Sequence, residues 1–172
     1  MQSNGNESCY HAGLEYISNN IEQKVGMFMN YDINEFLPVR QGVCKKNAWK
    51  EIEKKIGIIF PEDYKRFIDF HGEGGINDFL WILSPFSENE NLNSTEKFKV
   101  MKDAYISMQS EFPEQFSIDF YNGKTGLFPW GITDNGDELF WNYKGDIVEI
   151  VVYESRYELY NEYGRIFMRA IK

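Results

Sequence analysis

The spacing of apolar residues changes along the chain, and each change marks an element. Residues 1–10 are polar. From Leu14, apolar residues recur at Ile17, Ile21 and Val25, a stripe that predicts a helix. Residues 26–44 keep no period and are punctuated by Gly26, Pro38 and Gly42. In "NAWKEIEKKIG", Trp49, Ile52 and Ile56 share a helical face, with charges on the other. Asn47 is the expected N-cap and Gly57 the stop. "FPEDYKRFIDFHGEGG" predicts a second helix. Pro61 suits its first turn, and Glu62 and Asp63 suit the positive end of its dipole. Tyr64, Phe67, Ile68 and His71 share a face, and Gly72, Gly74 and Gly75 end the helix in a flexible turn.

"FLWIL", residues 79–83, is a short unbroken apolar run and predicts a buried strand. "SPFSENENLN" breaks it. Asn93 and Glu96 then make a capping-box-like start for a helix carrying Phe98, Met101, Tyr105, Met108 and Phe112, which Pro113 closes. Three strand-like runs follow at 127–132, 138–142 and 147–153. Asp134-Asn135-Gly136 separates the first two, and Lys144-Gly145-Asp146 the last two. Asn-Gly tolerates the positive φ of a tight hairpin, so these runs predict a three-stranded antiparallel meander. Residues 156–171 predict a last helix with Leu159, Tyr163, Ile166, Phe167 and Ala170 inward. The expected fold is α+β: a single domain, mainly antiparallel sheet with a C-terminal three-stranded meander, flanked by helices. Residues 1–44 form an N-terminal extension with one helix, and 45–172 the α+β domain.

Composition supports a packed core. Of 172 residues, 42% are hydrophobic and 17% aromatic, which excludes disorder as the main state. The net charge of −9 is unevenly spread: residues 45–66 hold seven Lys/Arg against four Asp/Glu, whereas 69–138 hold 13 Asp/Glu against four Lys. An acidic middle repels phosphate backbones, so nucleic acid is not an expected partner; it favours basic ones. Cys9 and Cys44 fit no zinc spacing and no CxxC motif. The reading favours free thiols in a cytoplasmic protein, with a disulfide as the alternative. No 18-residue apolar run and no signal-like start occur, so no membrane association is expected.

Chemistry is sparse. The acidic turn in "LFPWGITDNGDELFWN" fails as a calcium loop, because counting from Gly136 puts Gly131, Thr133 and Asn142 where oxygen ligands and a Glu belong. Asp134 and Asp137 are expected at a hairpin tip, where water keeps both ionised, so they do not form a glycosidase pair. His11 lies in the polar N-terminus. His71 ends a helix, where a cation suits the dipole. Ser94-x-x-Lys97 and Lys124-Thr125-Gly126 match two motifs of serine β-lactamases, but the Ser-Asp-Asn between them is absent. "HGEGG" lacks the ending of a phosphate loop. No metal and no cofactor is expected.

"AWKEIEKKIGIIFPEDYKRFIDFHGEGGI" resembles the opening signature of the SUKH superfamily of Smi/Knr-type proteins, carried here by Trp49, Ile52, Gly57, Pro61, Tyr64, Phe67 and Gly74 or Gly75. "FLWILSPF" is similar to that family's first strand and loop, and Asp134, Gly136, Asp137 and Asn142 to its hairpin motif; "IVEIVVYES" is similar to the next strand. The likeness spans roughly residues 45–170 and omits the N-terminal extension. It implies an α+β fold without a shared catalytic residue. It further implies, for the bacterial branch, an immunity protein that binds a cognate toxin. Fungal relatives are interaction proteins linked to cell-wall synthesis. The leading expectation is therefore a non-enzymatic toxin-neutralising protein, a monomer or weak dimer; the −9 charge suggests a nuclease as target. The rivals are a regulatory adaptor of the cell-wall type and a small hydrolase using His71. The expected partner-binding positions are Glu73, Asp78, Glu88, Glu90, Asp134 and Glu138.

Overall fold

The computed structural model describes residues 46–162. They belong to one of the two units into which the chain divides, Arg40–Lys172, and that unit alone is treated below. The expected helix at 14–25, His11 and both cysteines lie outside the described residues.

Helix α1 spans Lys46–Ile56. Asn47, the expected N-cap, therefore lies within its first turn. Trp49 is buried as its spacing predicts, and the Gly57 N–H closes the helix on the Glu53 carbonyl at 2.8 Å. Helix α2 spans Glu62–His71, with Pro61 one position outside it. Glu53 ties the two helices together: its carboxylate accepts from the Phe60 N–H at 3.1 Å and pairs with Lys65 at 2.6 Å.

A short hairpin follows that was not expected. Strand β1 is Gly74–Ile76 and strand β2 is Leu80–Ile82. The glycine-rich run read as a flexible turn is thus partly an edge strand. Asn77 and Asp78 supply the turn between the two, with φ of 53° and 49°, the left-handed conformation that Asn and Asp tolerate best. Strands β3 (Thr125–Thr133), β4 (Glu138–Lys144) and β5 (Ile147–Glu154) form the expected meander. Strand β6, Leu159–Glu162, replaces the first part of the expected last helix. Its four residues pair with Val151–Glu154, and Glu158 has a φ of 53°, which no right-handed helix contains. Sheet pairing here overrides a helical spacing; the rest of that segment, 163–171, lies outside the described residues. All six strands are antiparallel and follow chain order, β1-β2-β3-β4-β5-β6. The α+β expectation holds, with a larger sheet than the sequence suggested.

Successive residues of a strand point to opposite faces, and β4 is buried on both. Trp141 meets Phe60 and Tyr64 from the α1–α2 side, while its neighbour Phe140 meets Phe120 and Tyr105. Tyr105 belongs to α3, Ser94–Glu111. Helices therefore cover both faces, which explains why β3, β4 and β5 read as nearly unbroken apolar runs. Phe98 joins the two aromatic clusters, touching Phe128 in one and Phe120 in the other. Between Pro129 and Gly131 the register shifts, and Trp130 is the extra residue. A bulge is where a strand accommodates a proline without an N–H.

Asn93 caps α3 as expected. Its side-chain oxygen accepts from the Thr95 and Glu96 N–H groups at 2.9 and 3.1 Å, and its Nδ2 donates to the Ser87 carbonyl at 2.8 Å. Asn93→Ala removes all three bonds, and a loss of about 1–2 kcal/mol is expected by chemical denaturation. Asn93→Asp keeps the cap but sets a carboxylate oxygen against the Ser87 carbonyl in place of a donor, so it recovers only part of that loss.

Candidate functional site

The turn between β3 and β4 places its acids in three different settings. Asp134 is exposed, and its N–H donates to the Phe79 carbonyl at 2.9 Å. Its Oδ1 accepts from the Trp81 indole N–H at 2.7 Å, so this residue holds the β1–β2 hairpin to the β3–β4 turn. Asp137 corrects the sequence reading. It is 9% exposed instead of standing in water at the tip. The Thr133 hydroxyl donates to its Oδ2 at 3.0 Å, and its own N–H donates back to that hydroxyl at 3.0 Å. Glu138, expected on the surface, is half-buried on the α3 side, where its carboxylate accepts from the Tyr105 hydroxyl.

The remaining expected positions fall into two groups. Asp78 lies in the β1–β2 turn, at the same end of the strands as Asp134, because Leu80 pairs with Thr133. Glu73 precedes β1 at the other end, where Gly74 pairs with Ile82, and Glu88 and Glu90 lie in the loop that follows β2. Thus Asp78 and Asp134 share a corner, Glu73 lies with the 85–93 loop, and Glu138 is committed to α3. Among the described residues, Glu73, Asp78, Glu88, Glu90 and Asp134 take part in no ion pair.

Three carboxylic acids among the described residues are shifted upward. Burial pushes Glu138 above the usual carboxylate range, partly offset by the Tyr105 bond and the charge of Lys97. Burial also raises Glu154, with the charge of Asp137 adding to it and a bond from Asn161 opposing. Burial raises Asp63 as well. Each of these groups holds its proton to a higher pH in the native state than in the unfolded chain, where Glu titrates near 4.5. Stability therefore falls as pH rises from 4.5 through the raised native values, since over that interval the native state binds more protons. Urea midpoints measured between about pH 4.5 and pH 8 are expected to decline, and Glu138→Gln should flatten the decline. A midpoint that rises with pH and ignores Glu138→Gln would contradict this.

His71 is buried in the last turn of α2, with its ring 5.0 Å from that of Phe67. A cleft of about 230 Å³ lies between α3 and the segment after it, over Tyr105, Phe116 and Phe120; its lining contains neither His71 nor any of the six expected acids. No group of three His, Cys, Asp or Glu among the described residues could hold a metal ion. No helix of the described residues is long and apolar enough to cross a membrane. The residue that sequence reasoning missed is Trp81. Its link to Asp134 spans 53 positions, and no local pattern signals it.

These features define an α+β domain built on a helix-covered antiparallel meander that carries two exposed acids, Asp78 and Asp134, at neighbouring hairpin turns. The chain belongs to the SMI1-KNR4 cell-wall family (SUKH_6), whose model matches residues 46–166. It is also 26% identical over 110 residues to the uncharacterized protein YnaB of Bacillus subtilis (strain 168), an alignment that covers 64% of this chain and 68% of that one. No solved structure matches the chain.

Proposed function

We propose that this protein is a non-enzymatic immunity protein that binds and neutralises a cognate bacterial toxin in the cytoplasm of the cell that makes both. The observation that carries the reading is that Glu73, Asp78, Glu88, Glu90 and Asp134, like most acids of the domain, make no ion pair among the described residues, which leaves an excess of uncompensated negative charge. They sit on a scaffold whose strands are tied up in two aromatic clusters. Such a surface suits a basic cleft, of the kind a nuclease uses for phosphate, and speeds encounter with it. Residues 45–172 supply the binding domain, acting as a monomer or weak dimer, and residues 1–44 are an extension specific to this chain. Family membership supports the reading.

Co-expression with the toxin candidate of the neighbouring gene tests it. Survival that depends on this protein, together with co-purification of the pair, is the expected result. Full toxicity in its presence overturns the reading for that pair. The association rate should fall steeply as salt rises. The family's cell-wall description favours a second reading, a regulatory adaptor, which predicts a stable complex with a protein of cell-wall synthesis and no effect on toxicity.

A further inference from the structure

We propose that the corner formed by Trp81, Gly75 and Asp134 is where this protein receives an arginine side chain of its protein partner. The inference rests on the binding-protein reading above and assigns its contact point. Trp49, Trp130 and Trp141 are at most 6% exposed, whereas Trp81 is half-buried. It lies on β2, next to the sheet's first strand, and pairs with Gly75. Among the described residues, β1 has no other strand beside it. The six-membered ring of the indole rests on Gly75, where an added Cβ would stand 3.2 Å from it.

Two contacts fix this ring before any partner arrives. Gly75 supports the benzene part, and Asp134 holds the indole N–H at 2.7 Å. Asp134 is itself anchored through its N–H to the Phe79 carbonyl. A fixed aromatic loses little freedom on binding, which is what makes tryptophan effective at interface centres. The carboxylate beside it makes no ion pair among the described residues, and Asp78 adds a second exposed negative charge at the same end of the hairpin.

This pairing of groups selects the ligand. A guanidinium can lie over the indole and direct its N–H fork at the neighbouring carboxylate in a single approach. An ammonium is a point charge without the planar surface to stack. A purely apolar side chain would desolvate Asp134 and give it nothing in return.

The test uses the full chain labelled with ¹⁵N and N-acetyl-arginine amide as probe, with the lysine and citrulline analogues alongside. The chain has four tryptophans, and Trp81→Phe assigns the indole signal of interest. The arginine compound is expected to move the Trp81 indole signal selectively and saturably, the lysine compound less, and the uncharged citrulline compound not at all. Asp134→Asn keeps an oxygen for the indole N–H and removes the charge, and should weaken the arginine response about fivefold. A response that is not selective for Trp81, equals that of citrulline or survives Asp134→Asn overturns the proposal. The candidate toxin separates the two readings. If it binds wild type and Asp134→Asn equally, the corner is wrong and the immunity reading stands. If it does not bind while arginine moves Trp81 selectively, the corner stands and the immunity reading fails for that toxin.

Discussion

Trp141→Ala is expected to destabilise the domain by about 3–5 kcal/mol, the largest loss from any single truncation in this core. Total stability for a domain is only about 5–15 kcal/mol, so the variant should accumulate poorly and unfold at markedly lower urea. Trp141 is fully buried at the middle of β4, between Phe128 on β3 and Ile150 on β5. Its ring lies 4.6 Å from that of Tyr64 and 5.8 Å from that of Phe60. The cavity left by the indole cannot close easily. Tyr64 is held by its hydroxyl, which donates to the Leu83 carbonyl at 2.6 Å, and β4 is paired along its length on both sides. Trp141→Phe keeps part of the volume and removes an indole N–H that has no hydrogen-bond partner among the described residues, so its cost should be much smaller. Ile59→Ala, at a side chain 76% exposed, is the control and should stay within about 0.5 kcal/mol of wild type. Circular dichroism in urea reads all three without relying on tryptophan fluorescence. A Trp141→Ala variant as stable as the Ile59→Ala variant would mean that the edge-on contacts of Trp141 with Phe60 and Tyr64 do not hold the sheet to α2.

The contrast between these positions shows what the sequence could convey. Helices α1, α2 and α3 were readable because three- and four-residue spacing survives in Trp49/Ile52/Ile56, Tyr64/Ile68/His71 and Phe98/Met101/Tyr105, whatever the residues touch. Strands β3, β4 and β5 were readable because turn residues separate three apolar runs. Strand β1 was hidden because two of its three residues are glycine, which carry no face. Strand β6 was hidden because Leu159 and Tyr163 fit a helical spacing as well, and only pairing with β5 decides between them. The site shows the same limit. Acidity marks Asp134, Asp137 and Glu138 equally, yet one is exposed against Trp81, one is buried on Thr133 and one is bound to Tyr105 from α3. Partners 33 and 53 positions away made those differences, and neither separation leaves a trace in local spacing. Asp137 is the instructive case. The turn motif placed it beside Gly136, but its shelter is a pair of hydrogen bonds with Thr133, four positions back in the same turn, which its acidity does not announce.

Gly126→Ala is expected to cost about 3 kcal/mol or more, because steric crowding and backbone strain act together there. Gly126 is the second residue of β3 and has a φ of 115°, which L side chains rarely adopt. A Cβ at that position would stand 2.6 Å from the Asp119 carbonyl oxygen and 2.7 Å from the Phe120 carbonyl. These are backbone atoms and cannot rotate away as a side chain can. The same backbone is hydrogen-bonded on both sides of the contact: the Leu127 N–H donates to the Asp119 carbonyl at 2.9 Å, and the Tyr121 N–H to the Leu127 carbonyl at 3.0 Å. The segment held there delivers Phe116 and Phe120 against Tyr105. Pushing it outward therefore opens the α3 side of the core as well as straining the strand. Gly145→Ala is the comparison without crowding. Gly145 has a φ of 67°, with nothing within 4 Å of an added Cβ, so only the conformational cost of about 1–2 kcal/mol applies. Urea titrations of the two variants should differ by the steric part plus the extra strain of φ 115°, which lies outside the left-handed well that Gly145 occupies, and near-ultraviolet circular dichroism should show loosened aromatics only in Gly126→Ala. Equal losses in the two variants would mean that the 119–121 segment moves aside freely, and that Phe116 and Phe120 are not fixed by their seat on β3.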